Sequence, residues 1–400
     1  MLGLNTSLST SKTHYPTFYD SFSTAFDGSN DHIDMGAVHN LGTGDFSISV
    51  WFKRASLTSA DGLIMKRQDT DNVWFLQVTS AEKIFFQAST SRTVRIKYLT
   101  NVESTLNNTD WHHIVVTVDR SDASASKVWL DGVAITSYDT ETETGITADL
   151  DNTGDLIIGQ GAAAGGNYFH GNVADVSIWN TAFTPTSTIA ITDLRDGSSG
   201  AGNAIPADIK GLNGLVSWYR MGDLPLDDGN TTGNGIITDN ANNTLGSELV
   251  ASNVAAEWTD NSDGSTISNI TGGVSIADDS GYSDIGHLRD GSSTTGLLST
   301  DLTVGNIYKV TFNAYHNGTG TPQVRVRDGG SNFDVTITDT NARYTVYIGA
   351  QHASEGSIRT SNNSSGSIVY LTNLSIRQVN GLAGIMVNMD NADIVQQSVE

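Results

Sequence analysis

Carboxylates are the commonest reactive groups in this chain: Asp and Glu number 44 against 21 Lys and Arg. Two of them could break a glycosidic bond if they flanked it about 5–10 Å apart. The nearest pairing is Glu141 and Glu143 in "DTETETG" (139–145). Thr and Gly surround them, and the segment reads as a solvated loop. "WHH" (111–113) offers adjacent imidazoles. Neighbouring side chains on a strand point to opposite faces, so His112 and His113 cannot grip one ion together. The chain has no His-Glu-x-x-His, no Gly-x-Ser-x-Gly and no Walker lysine. Calcium suits what remains, because it takes hard oxygens from loop carboxylates and carbonyls. "FDGSNDHID" (26–34) supplies Asp27, Asn30, Asp31 and Asp34, and "QDTDN" (68–72) supplies Asp69, Asp71 and Asn72. "FHGNVADVSIWN" (169–180) adds Asp175 on an alternating strand. With a period of two, Ala174, Val176 and Ile178 point one way. Val173, Asp175, Ser177 and Trp179 point the other.

The elements that position these groups are strands. Gly is abundant (41), Pro is sparse (5), and Ser, Thr, Asn and Asp fill the gaps between short apolar runs. Stretches of helical period are nearly missing, which is the texture of an all-β chain. "FSISVWF" (46–52) alternates with Phe46, Ile48, Val50 and Phe52 on one face. "NVWFLQV" (72–78) and "KIFFQAS" (83–89) read as a hairpin, with "VRIKYL" (94–99) pairing next. "WHHIVVTVD" (111–119) turns Ile114, Val116 and Val118 inward. "KVWLDGVAI" (127–135) carries Asp131-Gly132 between apolar residues, a strong hairpin signal. "TPTSTIAITDLRDG" (184–197) reads as a short helix and "GLVSWYRMGD" (214–223) as another strand. Apolar content is lowest just before residue 245, and the pattern then restarts. "NIYKVTFNAYH" (306–316), "PQVRVRD" (322–328), "RYTVYIG" (343–349) and "SIVYLTNLSIRQV" (367–379) alternate again. The spacing predicts an arm over 1–19, a β-sandwich over 20–245, a second over 246–380, and an extended tail over 381–400 that docks on something. "LRDGSS" recurs at 194–199 and 288–293 as a coincidence of turn composition, not a solenoid repeat.

Bulk properties narrow the function. A formal charge of -23 repels phosphates, which excludes nucleic acid as a partner. With no cysteine, there is no disulfide scaffold, Cys-ligated zinc or thiol catalysis. "MLGLNTSLSTSKTHYPT" lacks the basic and apolar regions of a signal peptide. No run approaches the ~18 apolar residues of a membrane span, so membrane insertion is not expected.

The motifs "FDGSNDHIDMG", "FSISVWFK", "WHHIVVTVD", "KVWLDGVAI", "LIIGQ" and "FHGNVADVSIWNTAFT" resemble, in order and spacing, a laminin-G-like, concanavalin A-like jelly roll over residues 20–225. "LVSWYRMGD" resembles the closing segment of phage and marine microbial versions. Residues 246–380, with "ELVAS", "YKVTFNAY" and "VYLTNLSIRQV", resemble a carbohydrate-binding-module jelly roll. The ends, "MLGLNTSLSTS" and "GIMVNMDNADI", resemble those of structural proteins of marine tailed phages. The resemblance implies two jelly-roll β-sandwiches in tandem with a short C-terminal tail. It also implies sugar recognition or particle architecture rather than a reaction. The lectin-fold glucanases carry Glu-x-Asp-x-x-Glu on one strand, and that string is absent. Many relatives place an acid in the late strand where this chain has Ala174, one position before Asp175, so the calcium set Asp27, Asp31 and Asp175 departs from their pattern.

Sugars are bound on aromatic faces flanked by planar polar groups. Tyr315 and Tyr347 lie opposite their strands' apolar faces, with Arg325, Arg327 and Arg343 close in sequence and Trp258 and Tyr282 in reach of the rim. Trp74 and Asp71 are the rim candidates of the first sandwich. The expectation is a non-enzymatic phage virion protein, a head decoration, fibre or tail-associated module. It would bind host-surface or environmental glycans, or neighbouring capsid or tail subunits, and a homo-oligomer is compatible with that role. Host lysis would replace secretion. A glycan depolymerase and a bacterial secreted lectin or adhesin are the rival readings.

Overall fold

A computed structural model describes residues 22–125, 127–144, 146–161, 166–183, 191–197, 204–224, 235–240, 244–259, 265–278, 285–288, 296–304, 306–328, 331–350, 356–361, 364–380, 382–389 and 391–396. The chain is all-β: two sandwiches follow one another, and the last segment returns to the first.

One sheet of the first sandwich has Phe46–Arg54 and His170–Trp179 at its centre. Trp111–Val118, Lys127–Leu130 and Val133–Ala134 extend it one way, and Phe22–Asp27 and Ile394–Gln396 the other. The facing nine-stranded sheet runs from the edge strand Tyr138–Thr142 through Thr93–Thr100, Ile84–Thr90, Val73–Val78, Asp61–Arg67, Asp155–Ile158 and His32–Asp34 to Ala383–Val387 and Ile236–Thr238. The expected hairpin of 72–89 and its third strand pair as the alternation predicts. So does the Asp131-Gly132 hairpin. Both of its turn residues have positive φ, 52° and 80°, the conformation that matches the right-handed twist of the strands. Inward residues of both sheets, among them Ile48, Val50, Phe52, Trp74, Phe86, Ile114 and Val176, form one core.

Three local expectations change. A β-bulge between Val173 and Asp175 offsets the alternation of this strand. Val173 therefore joins Val176 and Ile178 in the core, while Ala174 packs against Trp51. The 139–145 segment is not all loop: Tyr138–Thr142 is an edge strand. Of the expected helix over 184–197, Ile191–Leu194 is a single 3-10 turn, and 184–190 lie outside the described residues.

The second sandwich sets a six-stranded sheet against a five-stranded one. The first contains Thr266–Ile270, Gly273–Asp278, Ser367–Asn380, Ile307–His316 and Ala342–Gly349 in order, with Thr244–Glu248 also paired to Ser367–Asn380. The second contains Trp258–Thr259, Ile285–His287, Ser357–Ser361, Gln323–Asp328 and Ser331–Thr336. Val310, Phe312, Val346, Val326 and Leu371 are among its core residues. Ile236, Ala383 and Ile385 of the first sandwich pack with Leu245, Ile307, Tyr347 and Val379 of the second.

Candidate functional site

The outward face of the six-stranded sheet collects the polar residues that alternate with the second core. Along Ile307–His316, Tyr308, Val310, Phe312 and Ala314 are buried. Period-two geometry sends Lys309, Thr311, Asn313 and Tyr315 to the other side. Strand pairing sets Lys309 opposite Arg377, Thr311 opposite Ser375, and Tyr315 opposite Tyr370. On the other flank, Tyr347 lies opposite Lys309 and Arg343 opposite Asn313.

This face has two chemically distinct parts. Tyr315 and Tyr370, both half-buried, stack with ring centroids 4.5 Å apart and planes within 12°. About 14 Å along the strand, four residues at the usual rise, lies a polar cavity of 270 Å³ lined by Leu245, Lys309, Thr311, Arg343, Ser375 and Arg377. Arg343 Nη2 donates to Thr311 Oγ1 at 3.2 Å. Lys309 Nζ lies 5.2 Å from the centroid of Tyr347. Glu248 stands beside the cavity, accepting from Arg377 Nε at 3.3 Å, from the Ile376 N–H at 2.8 Å and from Ser375 Oγ. Burial pushes the Glu248 carboxyl up, but these hydrogen bonds outweigh it and hold the group below its ordinary value.

The expected glycan residues fall in different places. Tyr315 lies on this face. Tyr347 shares it but is fully buried where the sandwiches meet, so its ring cannot receive a sugar. Arg325 is on the opposite sheet, held by Asp334 through bonds of 2.6 and 2.8 Å. Trp258 is not at the rim: it belongs to the second core, and its indole donates to Asn253 at 3.0 Å. Trp74 is likewise a core residue, 1 % exposed. Asp71 sits in an exposed turn and accepts from Arg92 at 2.9 Å. Tyr282 lies outside the described residues.

The carboxylates expected to hold calcium do not gather. Asp27 accepts the backbone N–H groups of Ser29 and Asn30. Asp31, four residues on, accepts the N–H of Asp27 at 2.9 Å. Asp175 is on a different stretch of the sheet, buried, and accepts the Trp218 indole N–H at 2.7 Å. Among the described residues, no three His, Cys, Asp or Glu side chains are grouped to hold a metal ion. Burial raises the Asp31 pKa to about 6, aided by the charges of Asp27 and Asp393. Burial also drives the Asp175 carboxyl well above the usual range, against the pull of Arg220 and Trp218. Buried and engaged by the indole N–H, Asp175 serves as a hydrogen-bond acceptor within the sheet.

The remaining candidates are structural. His112 Nδ1 meets Asp131 Oδ2 at 2.9 Å. His113 faces the other way and stacks on Trp51, centroids 4.5 Å apart. Glu143 accepts from Tyr98 Oη at 2.5 Å. Lys309, Thr311, Tyr370, Ser375 and Arg377 were legible as outward positions of alternating runs, but only the strand register brings them together with Tyr315 and Arg343.

Residues 27–187 match the family model described as the concanavalin A-like lectin/glucanases superfamily, Laminin_G_3. That stretch runs from the first strand of the first sandwich to just beyond His170–Trp179. No curated protein matches the chain. Solved structures similar to parts of it include a sialidase carbohydrate-binding module, CBM40, from Ruminococcus gnavus, with 11% identity over 41% of this chain and 94% of that one, TM-score 0.31. A heptameric SAP-like pentraxin from Limulus polyphemus has 14% identity over 47% and 93%, TM-score 0.32. Domain 4 of an extracellular arabinanase from Geobacillus stearothermophilus, in complex with arabinotriose, has 19% identity over 41% and 73%, TM-score 0.29. These are partial likenesses at low identity, and the case for function rests on the side chains of this chain.

Proposed function

We propose that this protein is a non-enzymatic, lectin-like structural protein of a phage virion, a head decoration, fibre or tail-associated module that binds glycans through its second sandwich. The stacked Tyr315–Tyr370 pair on an outward sheet face carries the glycan reading. In this parallel stack each ring covers one face of its partner, so the outer face of each is the one a sugar would stack on, while hydroxyl and guanidinium donors about 14 Å along the same sheet face would orient a longer glycan. The first sandwich contributes architecture and contacts to neighbouring capsid or tail subunits. The virion assignment is supported by the phage-like motifs of the two ends and by the resemblance of "LVSWYRMGD" to phage versions of the fold. Host lysis would release the assembled particle.

Mass spectrometry of purified particles tests the assignment, with peptides of this chain expected in stoichiometric amount; their absence from the virion would remove it. A glycan array probed with the full chain tests binding, and Tyr370→Ala is expected to abolish the hits. Sustained release of reducing sugar from a host polysaccharide would overturn the non-enzymatic reading.

A further inference from the structure

We infer that a step in the sheet beside Tyr370 holds two successive rings of a neutral, ribbon-like glycan, such as a β-1,4-linked glucan or mannan, with the rings standing on edge. The inference rests on the glycan reading of this face and names the ligand class and the side of the tyrosine pair that takes it.

The stack itself supplies the first reason. Tyr315 and Tyr370 are direct cross-strand partners, and neighbouring strands lie about 4.8 Å apart. Rings lying flat on the sheet at that spacing would meet edge to edge. Centroids 4.5 Å apart with planes within 12° require the rings to stand up from the sheet, each facing along the row of strands. A sugar laid flat would meet only ring edges. A sugar that stacks must stand upright beside the pair.

The two sides of the pair differ. Beyond Tyr315, the pairing with Ala342–Gly349 ends at Ala314 and Ala342, so that strand does not floor the side of Tyr315. Beyond Tyr370, two more strands follow. Ser275 lies opposite Tyr370, and Ser268 lies opposite Ser275. A sugar in van der Waals contact with the outer face of Tyr370 therefore stands over Ser275, one strand spacing away, with Ser268 at its far side.

One rung along, the pattern repeats. Ala277 lies opposite Ile368, and Thr266 opposite Ala277. The intervening residues Val274, Ile276, Val369 and Leu371 enter the second core, which turns these side chains outward. Each rung is thus a half-buried wall, Tyr370 or Ile368, a small floor, Ser275 or Ala277, and an exposed hydroxyl, Ser268 or Thr266. The rungs are about 7 Å apart along the strand. Two rings in one plane fit them, as in a flat ribbon. A coiled, α-linked chain turns its second ring out of the step.

The lining also sets the charge. All six side chains are uncharged. Among the described residues, the hydroxyls of Thr266, Ser268, Ser275, Tyr315 and Tyr370 make no hydrogen bond to the protein. Each is both donor and acceptor, which matches the hydroxyls of a sugar. The net charge of -23 repels an acidic chain.

The experiment is native affinity electrophoresis of the full chain in gels containing hydroxyethyl cellulose, glucomannan, dextran, soluble starch or polygalacturonate. Wild type is run beside Ser275→Leu and Ala277→Leu, which fill the two rungs, Tyr370→Ala, and Asn341→Leu, which changes an exposed residue beyond the Tyr315 side. Unchanged melting temperatures show that the variants fold. The expected result is retardation of wild type and Asn341→Leu by hydroxyethyl cellulose or glucomannan, with Ser275→Leu and Ala277→Leu binding at least about tenfold more weakly. Equal retardation of wild type and both step-filling variants, still abolished by Tyr370→Ala, overturns the step and leaves the glycan reading in place. Loss in Asn341→Leu but not in Ser275→Leu moves the sugar to Tyr315 and overturns it as well. Retardation by dextran, starch or polygalacturonate, and by neither ribbon polymer, overturns the ligand class. No retardation by any of the five polymers overturns this inference and the glycan reading together.

Discussion

Two buried aspartates show how single residues set the pH response of this fold. Folded Asp31 keeps its proton to about pH 6, against an ordinary value of 3.8. Between those values the folded chain binds more protons than the unfolded one, so this group's contribution to stability is greatest below pH 3.8 and is lost as pH rises through about 6. Asp31→Asn keeps an acceptor for the Asp27 N–H and removes the charge. It should raise stability at pH 7.5 by up to about 3 kcal/mol and flatten the fall between pH 4 and 6 in urea melts; an unchanged pH profile would refute the argument. Asp175 has the same sign, since burial raises it too. Asp175→Asn still accepts from Trp218 and should be tolerated at neutral pH. Asp175→Ala strands the indole N–H and should cost ~1–3 kcal/mol, read as a lower urea midpoint by tryptophan fluorescence. The sequence disclosed that Asp175 was an acid on a half-apolar strand. It could not disclose Trp218 as partner, because the two are 43 residues apart and the bulge that aims Asp175 follows from strand pairing, not from local pattern.

Strands were the most legible elements, and the reason is visible in particular runs. "FSISVWF" and "YKVTFNAY" each present a clean period of two, and their apolar positions enter the two cores. The final segment was less legible, since "GLAGIMVNMDNADIVQQSVE" has no sustained period. The physical cause is its environment. Ala383–Val387 lies between His32–Asp34 and Ile236–Thr238, whereas Ile394–Gln396 crosses to the other sheet and pairs with Phe22–Asp27. Two short strands on different sheets leave no single face to repeat. Gly384 is tightly packed in this return: a Cβ there would lie 2.2 Å from Met35 Sδ and 2.5 Å from Ile33 Cγ2. Met386, two residues on, is fully buried in the first core. Gly384→Val should therefore loosen the strand and cost on the order of 1–3 kcal/mol by overpacking, with faster amide exchange over 383–387 and over its partner His32–Asp34. Unchanged exchange in both strands would show that the return contributes little. The cavity face argues the same point for function: its cations come from three strands, and only the register brings Lys309, Arg343 and Arg377 together.

At the scale of the whole molecule, the second sandwich occupies an insertion within the first. Thr238 pairs with Ala383 and Ile236 with Ile385, so the chain leaves and re-enters the first sandwich at neighbouring points of one sheet. The Asp239 N–H still reaches the Leu382 carbonyl at 2.8 Å, which closes the base of the excursion. Insertions whose ends lie this close add little closure entropy to the host, since that cost grows only logarithmically with length. Each sandwich also has its own core, and among the described residues the contact between them includes the small apolar cluster around Tyr347 and Val379. Replacing residues 241–381 with a short Asn-Gly turn should thus leave a folded first sandwich that retains its returning strands, with a single cooperative melt. Stopping the chain at residue 380 should instead remove both returning strands and the buried Met386 and Met389. Losing a buried Met side chain typically costs ~2–5 kcal/mol, so the truncated chain should melt well below the turn-closed one although it keeps more residues. Differential scanning calorimetry of the two proteins decides the matter. Equal melting of the first sandwich in both would mean that the C-terminal strands are an ornament on a sandwich already complete, and the excursion a plain tandem arrangement.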